Sequence, residues 1–123
     1  MFIRLVLRLA AALVIAAACH AVPAQAHAVL VEASPAPNAT VSGPAIDIRL
    51  RFNSRLDHVR SSIILIAADG HADRLAMVED APPDTLAAHV ASLAPGHYRL
   101  RWQVLAVDGH ITRGDVEFTV SSQ

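Results

Sequence analysis

Cysteine is almost missing from this 123-residue chain: Cys19 is the only one, and it lies in an apolar leader. The domain that follows therefore has neither a disulfide nor a thiolate ligand, and any metal it holds must be taken by nitrogen and oxygen. Aromatic residues are scarce as well. One Trp, one Tyr and three Phe, one of them Phe2, leave few ring platforms for stacking on a polymer such as a polysaccharide. Lysine is absent, so all ten basic residues are arginine, and eleven acidic residues outnumber them. That balance argues against a nucleic-acid binder or a protein drawn to anionic membrane. The longest uncharged apolar run falls well short of the roughly 20 residues a membrane-spanning helix needs. There is no repeat, coiled coil or low-complexity tract.

What is present begins with an export signal. Arg4 and Arg8 precede the apolar run Leu9 to Cys19, and Ala24-Gln25-Ala26 is a small-x-small cleavage site. This is the layout of a secretory signal peptide. Residues 1–26 are expected to be removed by a cut after Ala26, leaving residues 27–123 as one domain. Lipidation at Cys19 after Ala16-Ala17-Ala18 is a lower-ranked route, because the usual Leu three residues before the Cys is missing. The expected mature chain has 97 residues (123 less 26) and a formal charge of −3, eight Arg against eleven acids. That length suits one small domain with a modest core.

The pattern along the mature chain is that of strands. His27 to Val31 opens it, and Ser34-Pro35-Ala36-Pro37-Asn38 marks a turn. Ile46, Ile48, Leu50 and Phe52 then alternate with Asp47, Arg49 and Arg51, the signature of a half-buried strand. Asn53 to Ser62 is polar. Ile63 to Ile66 is short and β-branched, and Asp69-Gly70 is a hairpin signal leading into Leu75 to Val78. Thr85 to Val90 fits either a strand or a helical turn. Pro95-Gly96 leads into Tyr98, Leu100, Trp102 and Val104, alternating with Arg99, Arg101 and Gln103. Ala106 to Gly114 reads as a longer connection, and Val116, Phe118 and Val120 close the domain. About seven strands with turns every ~8–12 residues predict an antiparallel sandwich or small barrel.

Six histidines remain after the leader. His58, His89 and His97 stand alone, and a lone histidine is most often a surface or satisfied residue. His71 and His110 each end an Asp-Gly-His tripeptide, Asp69-Gly70-His71 and Asp108-Gly109-His110, so local spacing cannot choose between them. The first lies between two apolar runs, where Asp-Gly has a hairpin role. The second lies in the longer connection, where a loop is free to serve a site. What favours the second is His27. A chain beginning with His offers its α-amino nitrogen and its own imidazole to one metal. His110 adds a third nitrogen and Asp108 an oxygen. Three nitrogens and a carboxylate in a near-planar set suit Cu(II), which also heads the affinity order for such donors; Zn(II) would draw them tetrahedral.

His27-Ala28-x-Leu30, the Ser34-Pro35-Ala36-Pro37 turn, the Phe52 strand, Tyr98-x-Leu100-x-Trp102, and Asp108-Gly109-His110 leading to Phe118-Thr119-Val120 resemble the CopC-like periplasmic copper-binding proteins. The resemblance covers essentially the whole mature chain. It implies an all-β Greek-key barrel or sandwich of cupredoxin-like or immunoglobulin-like type. It also implies one Cu(II) per chain on His27, Asp108 and His110, in a periplasmic monomer that supplies or buffers copper for an inner-membrane copper transporter or a periplasmic copper oxidase. Some members resemble this chain but carry a Met-rich Cu(I) segment; here Met77 is the only methionine after the leader, and soft Cu(I) lacks its thioethers. Whether His58 or His71 adds a secondary site is left open by the sequence. The expected activity is capture and delivery without turnover, with no small-molecule substrate. Two readings from other classes stand beside it: an exported immunoglobulin-like interaction module without metal, and a small histidine-brace copper oxygenase.

Overall fold

The computed structural model of the protein describes residues 2–4 and 27–122. The apolar run of the leader, Cys19 and the expected cleavage point after Ala26 lie outside the described residues. Eight strands follow in chain order: β1 (Leu30–Ser34), β2 (Ala39–Ser42), β3 (Ile46–Phe52), β4 (Leu56–Ala67), β5 (Ala72–Arg74), β6 (Thr85–Val90), β7 (Gly96–Ala106) and β8 (Ile111–Ser121). They form a three-stranded sheet, β1-β3-β6, and a five-stranded sheet, β2-β8-β7-β4-β5. Among the described residues no helix is long and apolar enough to cross a membrane.

Alternation in sequence becomes alternation in burial, because successive side chains of a strand point to opposite faces. Ile46, Ile48, Leu50 and Phe52 of β3 are buried, as are Tyr98, Leu100, Trp102, Val104 and Ala106 of β7, and Val116, Phe118 and Val120 of β8. Ile63 and Leu65 from β4 and Leu86 and Ala88 from β6 complete one core between the two sheets. Each large side chain fully buried there contributes about 1.5–3 kcal/mol relative to being left in water. The few aromatic residues of the core form two pairs. Tyr98 stacks on Phe118 at 5.6 Å. Phe52 of the small sheet meets Trp102 of the large one edge-on at 5.0 Å, with the rings inclined at 72°. On the outer face of the large sheet, Arg99 pairs with Glu117 (2.8 Å) and Arg101 with Asp115 (3.2 Å). Water screens such exposed pairs, so their main effect is to keep that face polar.

The expected all-β sandwich is the fold the chain adopts, with differences in detail. There are eight strands where about seven were expected; the additional one, β2, is a four-residue strand that pairs parallel to β8, the one parallel pairing among otherwise antiparallel ladders. Thr85–Val90, left undecided by its alanines, is a strand. The return strand of the Asp69-Gly70 hairpin is β5, Ala72–Arg74, and of the Leu75 to Val78 stretch only Met77 forms a bridge, to Ala88. The polar stretch before Ile63 belongs largely to β4. Its register against β7 slips between Asp57 and Ser62, so residues 58–61 bulge out opposite Val104. Ser61 repairs the interruption: its hydroxyl donates to the Asp57 carbonyl (2.6 Å) and accepts the Leu105 amide (3.1 Å).

Trp102 lies opposite Gly114 on β8, and its six-membered ring occupies the space a side chain would take there. A Cβ on Gly114 would fall inside the indole. Gly114→Ala is therefore expected to displace Trp102 from Phe52 and cost at least the ~1–3 kcal/mol typical of overpacking, read as a lower urea midpoint with altered tryptophan fluorescence.

Candidate metal centre

The tripeptide Asp108-Gly109-His110 forms the turn between β7 and β8. Gly109 takes φ +92°, a left-handed conformation that favours glycine, and donates to the Ala106 carbonyl at 2.9 Å, while the Ala106 amide donates to the His110 carbonyl at 2.9 Å. This is a three-residue hairpin loop with glycine in the left-handed position. The connection is thus shorter than the sequence suggests, with β8 already under way at Ile111. Asp108 and His110 face one another because the chain turns between them at Gly109. Oδ1 of Asp108 accepts the His110 amide (3.0 Å), and its Oδ2 lies 3.0 Å from His110 Nδ1.

Asp69-Gly70-His71 is built the same way. Gly70 has φ +90°, its amide donates to Ala67, the Ala67 amide donates to His71, and Asp69 Oδ1 accepts the His71 amide at 2.9 Å. The expectation that one copy is a hairpin and the other a longer, freer loop is therefore corrected: both are the same turn. β4 and β7 are antiparallel, with Ala67 opposite Tyr98 and Leu56 opposite Ala106, so the two turns sit at opposite ends of the large sheet. Their surroundings differ. His71 Nε2 faces Asp73 at 3.3 Å, whereas the His110 ring has the His27 ring 5.1 Å away, inclined at 71°.

His27 arrives from the other sheet. Ala28 is buried, Leu30 pairs with Phe52 in the β1–β3 ladder, and between them Val29 is held at both backbone groups by Asn53. The Val29 amide donates to Asn53 Oδ1 (2.7 Å), and the Asn53 amide donates to the Val29 carbonyl (3.0 Å). Asn53 had no role in the sequence reading. Its signal was an Asn directly after the last buried residue of an alternating strand, a position where a side-chain amide can replace a backbone partner.

The remaining histidines have partners elsewhere. His58, on the bulge of β4, has Nε2 2.8 Å from the Thr85 carbonyl, tying the two sheets together. His89 pairs with Asp47 (2.6 Å) and His97 with Thr119 Oγ1 (3.2 Å). The structure thus brings His27, Asp108 and His110 to one end of the sandwich. Among the described residues no three His, Cys, Asp or Glu side chains converge closely enough to hold a metal unaided. A nitrogen from the backbone would complete the set, and that of His27 is an amide for as long as Ala26 is attached. With Nδ1–H of His110 turned to Asp108, Nε2 is the nitrogen left with a lone pair, the arrangement in which a carboxylate orients a ligating imidazole.

The Asp108 carboxyl titrates below the ordinary aspartate range. The causes, largest first, are the His110 amide on its oxygen, the His110 side chain, and then, against the cost of partial desolvation, the positive potential of His110 and His27. A carboxylate whose folded pKa is depressed stabilises the fold above its unfolded value, and that contribution is lost as pH falls through the lowered midpoint. A carboxyl titration by carbon NMR is therefore expected to place Asp108 below the ~3.9 of an unperturbed aspartate, and His110→Ala is expected to raise its midpoint toward that value.

Comparison with known proteins agrees with this fold. The CopC domain model matches residues 30–121, beginning three residues after His27 and including Asp108 and His110. Copper resistance protein C of Xanthomonas campestris pv. juglandis is 33% identical over 120 residues, covering 86% of this chain and 89% of that protein. The crystal structure of CopC from Methylosinus trichosporium OB3b superposes with a TM-score of 0.69 at 33% identity, over 77% of this chain and 94% of that one. PcoC, a methionine-rich copper resistance protein from Escherichia coli, gives a TM-score of 0.64 at 25% identity, over 78% of this chain and all of that one, 100%. Matched across all eight of its strands by that domain model, and by these relatives in both sequence and fold, the chain belongs to the CopC domain family.

Proposed function

We propose that this is a periplasmic Cu(II) carrier, exported by residues 1–26 and active as residues 27–123, that captures one copper ion per chain on His27, Asp108 and His110. The observation that carries this reading is the approach of two imidazoles on segments adjoining different sheets, 5.1 Å between ring centres, with a carboxylate already in contact with one of them. The family's copper resistance relatives supply the metal, and the donor chemistry agrees with it. Nitrogen-rich sites with an oxygen suit Cu(II), and no thiolate is available in the mature chain. The His27 imidazole and the amine freed by cleavage supply two nitrogens, Nε2 of His110 a third, and Asp108 an oxygen. Both Asp108 oxygens are already engaged by His110, which makes the carboxylate the weakest donor of the set.

Export and competence are coupled in this scheme, because cleavage turns the His27 amide nitrogen into an amine. Protons compete for the same atoms: α-amino groups titrate near ~7.7–8.0 and histidines near ~6.5, so capture weakens on acidification. The acceptor is an inner-membrane copper transporter or a periplasmic copper oxidase, met by the protein as a monomer.

Cu(II) titration with electron paramagnetic resonance tests the reading on protein beginning at His27 and on the same protein with one residue added ahead of it. One-to-one tight binding and a nitrogen-rich signal are expected from the first and not from the second. His110→Ala is expected to cost more than the roughly 10–100-fold that loss of an outer partner costs a metal site, Asp108→Ala less than His110→Ala, and His71→Ala nothing. Equal binding by both N-termini, or loss with His71→Ala alone, would refute the assignment. Oxygen consumption with a reductant would point to the oxygenase instead.

A further inference from the structure

Strand β3 ends at Phe52, and the chain bends at Asn53 and Ser54. In a regular antiparallel ladder, two facing residues can exchange both backbone bonds. Between Val29 and Asn53 only half of that exchange is made by backbone. The Asn53 amide reaches the Val29 carbonyl at 3.0 Å, but the Val29 amide donates to the Asn53 side chain at 2.7 Å. Oδ1 stands in for the carbonyl that the bending chain no longer offers. Two residues upstream is His27. Ala28, between them, is buried, while His27 and Val29 are exposed. A chain end loses backbone entropy when it is ordered, and an anchor this close is what offsets that loss.

We propose that Asn53 is a positioning residue of the copper site: by holding the Val29 amide it sets His27 against His110 before copper arrives. This rests on the copper reading above. The physical argument is one of pre-organisation. Apparent affinity falls in proportion to the fraction of time the binding arrangement is formed, so an anchor that raises this fraction raises affinity without touching the metal. Removing the side chain leaves the Asn53 amide, the Leu30–Phe52 pairing and the core in place, so the fold survives while His27 samples more orientations. A neutral hydrogen bond of ordinary strength corresponds to roughly fivefold weaker binding.

The test compares wild type, Asn53→Ala, Asn53→Asp and His110→Ala, each processed to begin at His27. Without copper, hydrogen exchange of the Val29 amide is followed by NMR; with Cu(II), the dissociation constant is measured by competition and the coordination by electron paramagnetic resonance. Asn53→Ala is expected to unfold cooperatively at a slightly lower midpoint, to exchange the Val29 amide faster, to bind roughly fivefold more weakly, and to show a second, nitrogen-poorer copper signal. Asn53→Asp, which presents the same oxygen, is expected to restore Val29 protection and the single signal. The amide readout separates this rescue from any attraction of the new charge for copper. If copper binding depends on His110 but Asn53→Ala matches wild type in exchange, affinity and signal, the positioning role is overturned and the copper reading stands. If wild type binds copper no better than His110→Ala, the copper reading falls and takes this role with it.

Discussion

The two imidazoles at the end of this sandwich lie on segments that lead into different sheets, His27 just before β1 and His110 just before β8, so their separation depends on how the sheets pack. Phe52 and Trp102 are the contact nearest that task. Phe52 precedes Asn53 and pairs with Leu30, and so governs where the N-terminal segment emerges. Trp102 lies on β7, which carries the chain into the Asp108 turn four residues later, at Ala106. Their edge-on approach, 5.0 Å between centres, is a favourable aromatic geometry, and Gly114 makes it possible by leaving room for the indole. His58 adds a polar tie between the sheets through the Thr85 carbonyl. With one Trp, one Tyr and two Phe after residue 26, using two of these four rings to join the sheets at the end that carries His27 and His110 is a large share of the aromatic packing.

The chain makes the same turn twice, with the same glycine conformation, the same backbone bonds and the same aspartate on the histidine amide. The backbone of the turn is thus the same at Asp69-Gly70-His71 and Asp108-Gly109-His110, although only Asp108 also reaches its own histidine ring, and the turn cannot by itself make one of them a metal arm. The difference lies in what the rest of the fold brings up to each. At one end of the large sheet the histidine finds a carboxylate on the next strand; at the other it finds a second imidazole from the opposite sheet. A sequence motif here is a component whose use depends on its neighbours.

The scarcity of soft donors narrows the chemistry further. With no thiolate and one thioether after residue 26, the proposed copper site would work with imidazole, amine and carboxylate, all of which protons contest. In that proposal affinity rests on placing a few donors well, and the segment carrying His27, which precedes the first strand, is the one hardest to place. On that proposal the hydrogen bonds of Val29 with Asn53 act on the site although they lie away from the donors.

Periodicity made much of this molecule legible. The alternating runs at Ile46–Phe52, Tyr98–Val104 and Val116–Val120 are buried on the faces the sequence indicates, since period two leaves a strand little choice once one face is apolar. The all-β class and the family follow from those runs with the short motifs between them. The four-residue β2 was too short to carry a period, and the bulge in β4 hid a strand inside a polar stretch. The identity of the candidate donors was also readable, because a His expected at a processed N-terminus and a late Asp-Gly-His are local features. Which Asp-Gly-His turn faces His27, and the part Asn53 plays in holding that end, were decided only by tertiary structure. The two histidines are eighty-three positions apart (110 less 27), and contacts across such a separation depend on sheet order and packing, which no local pattern contains.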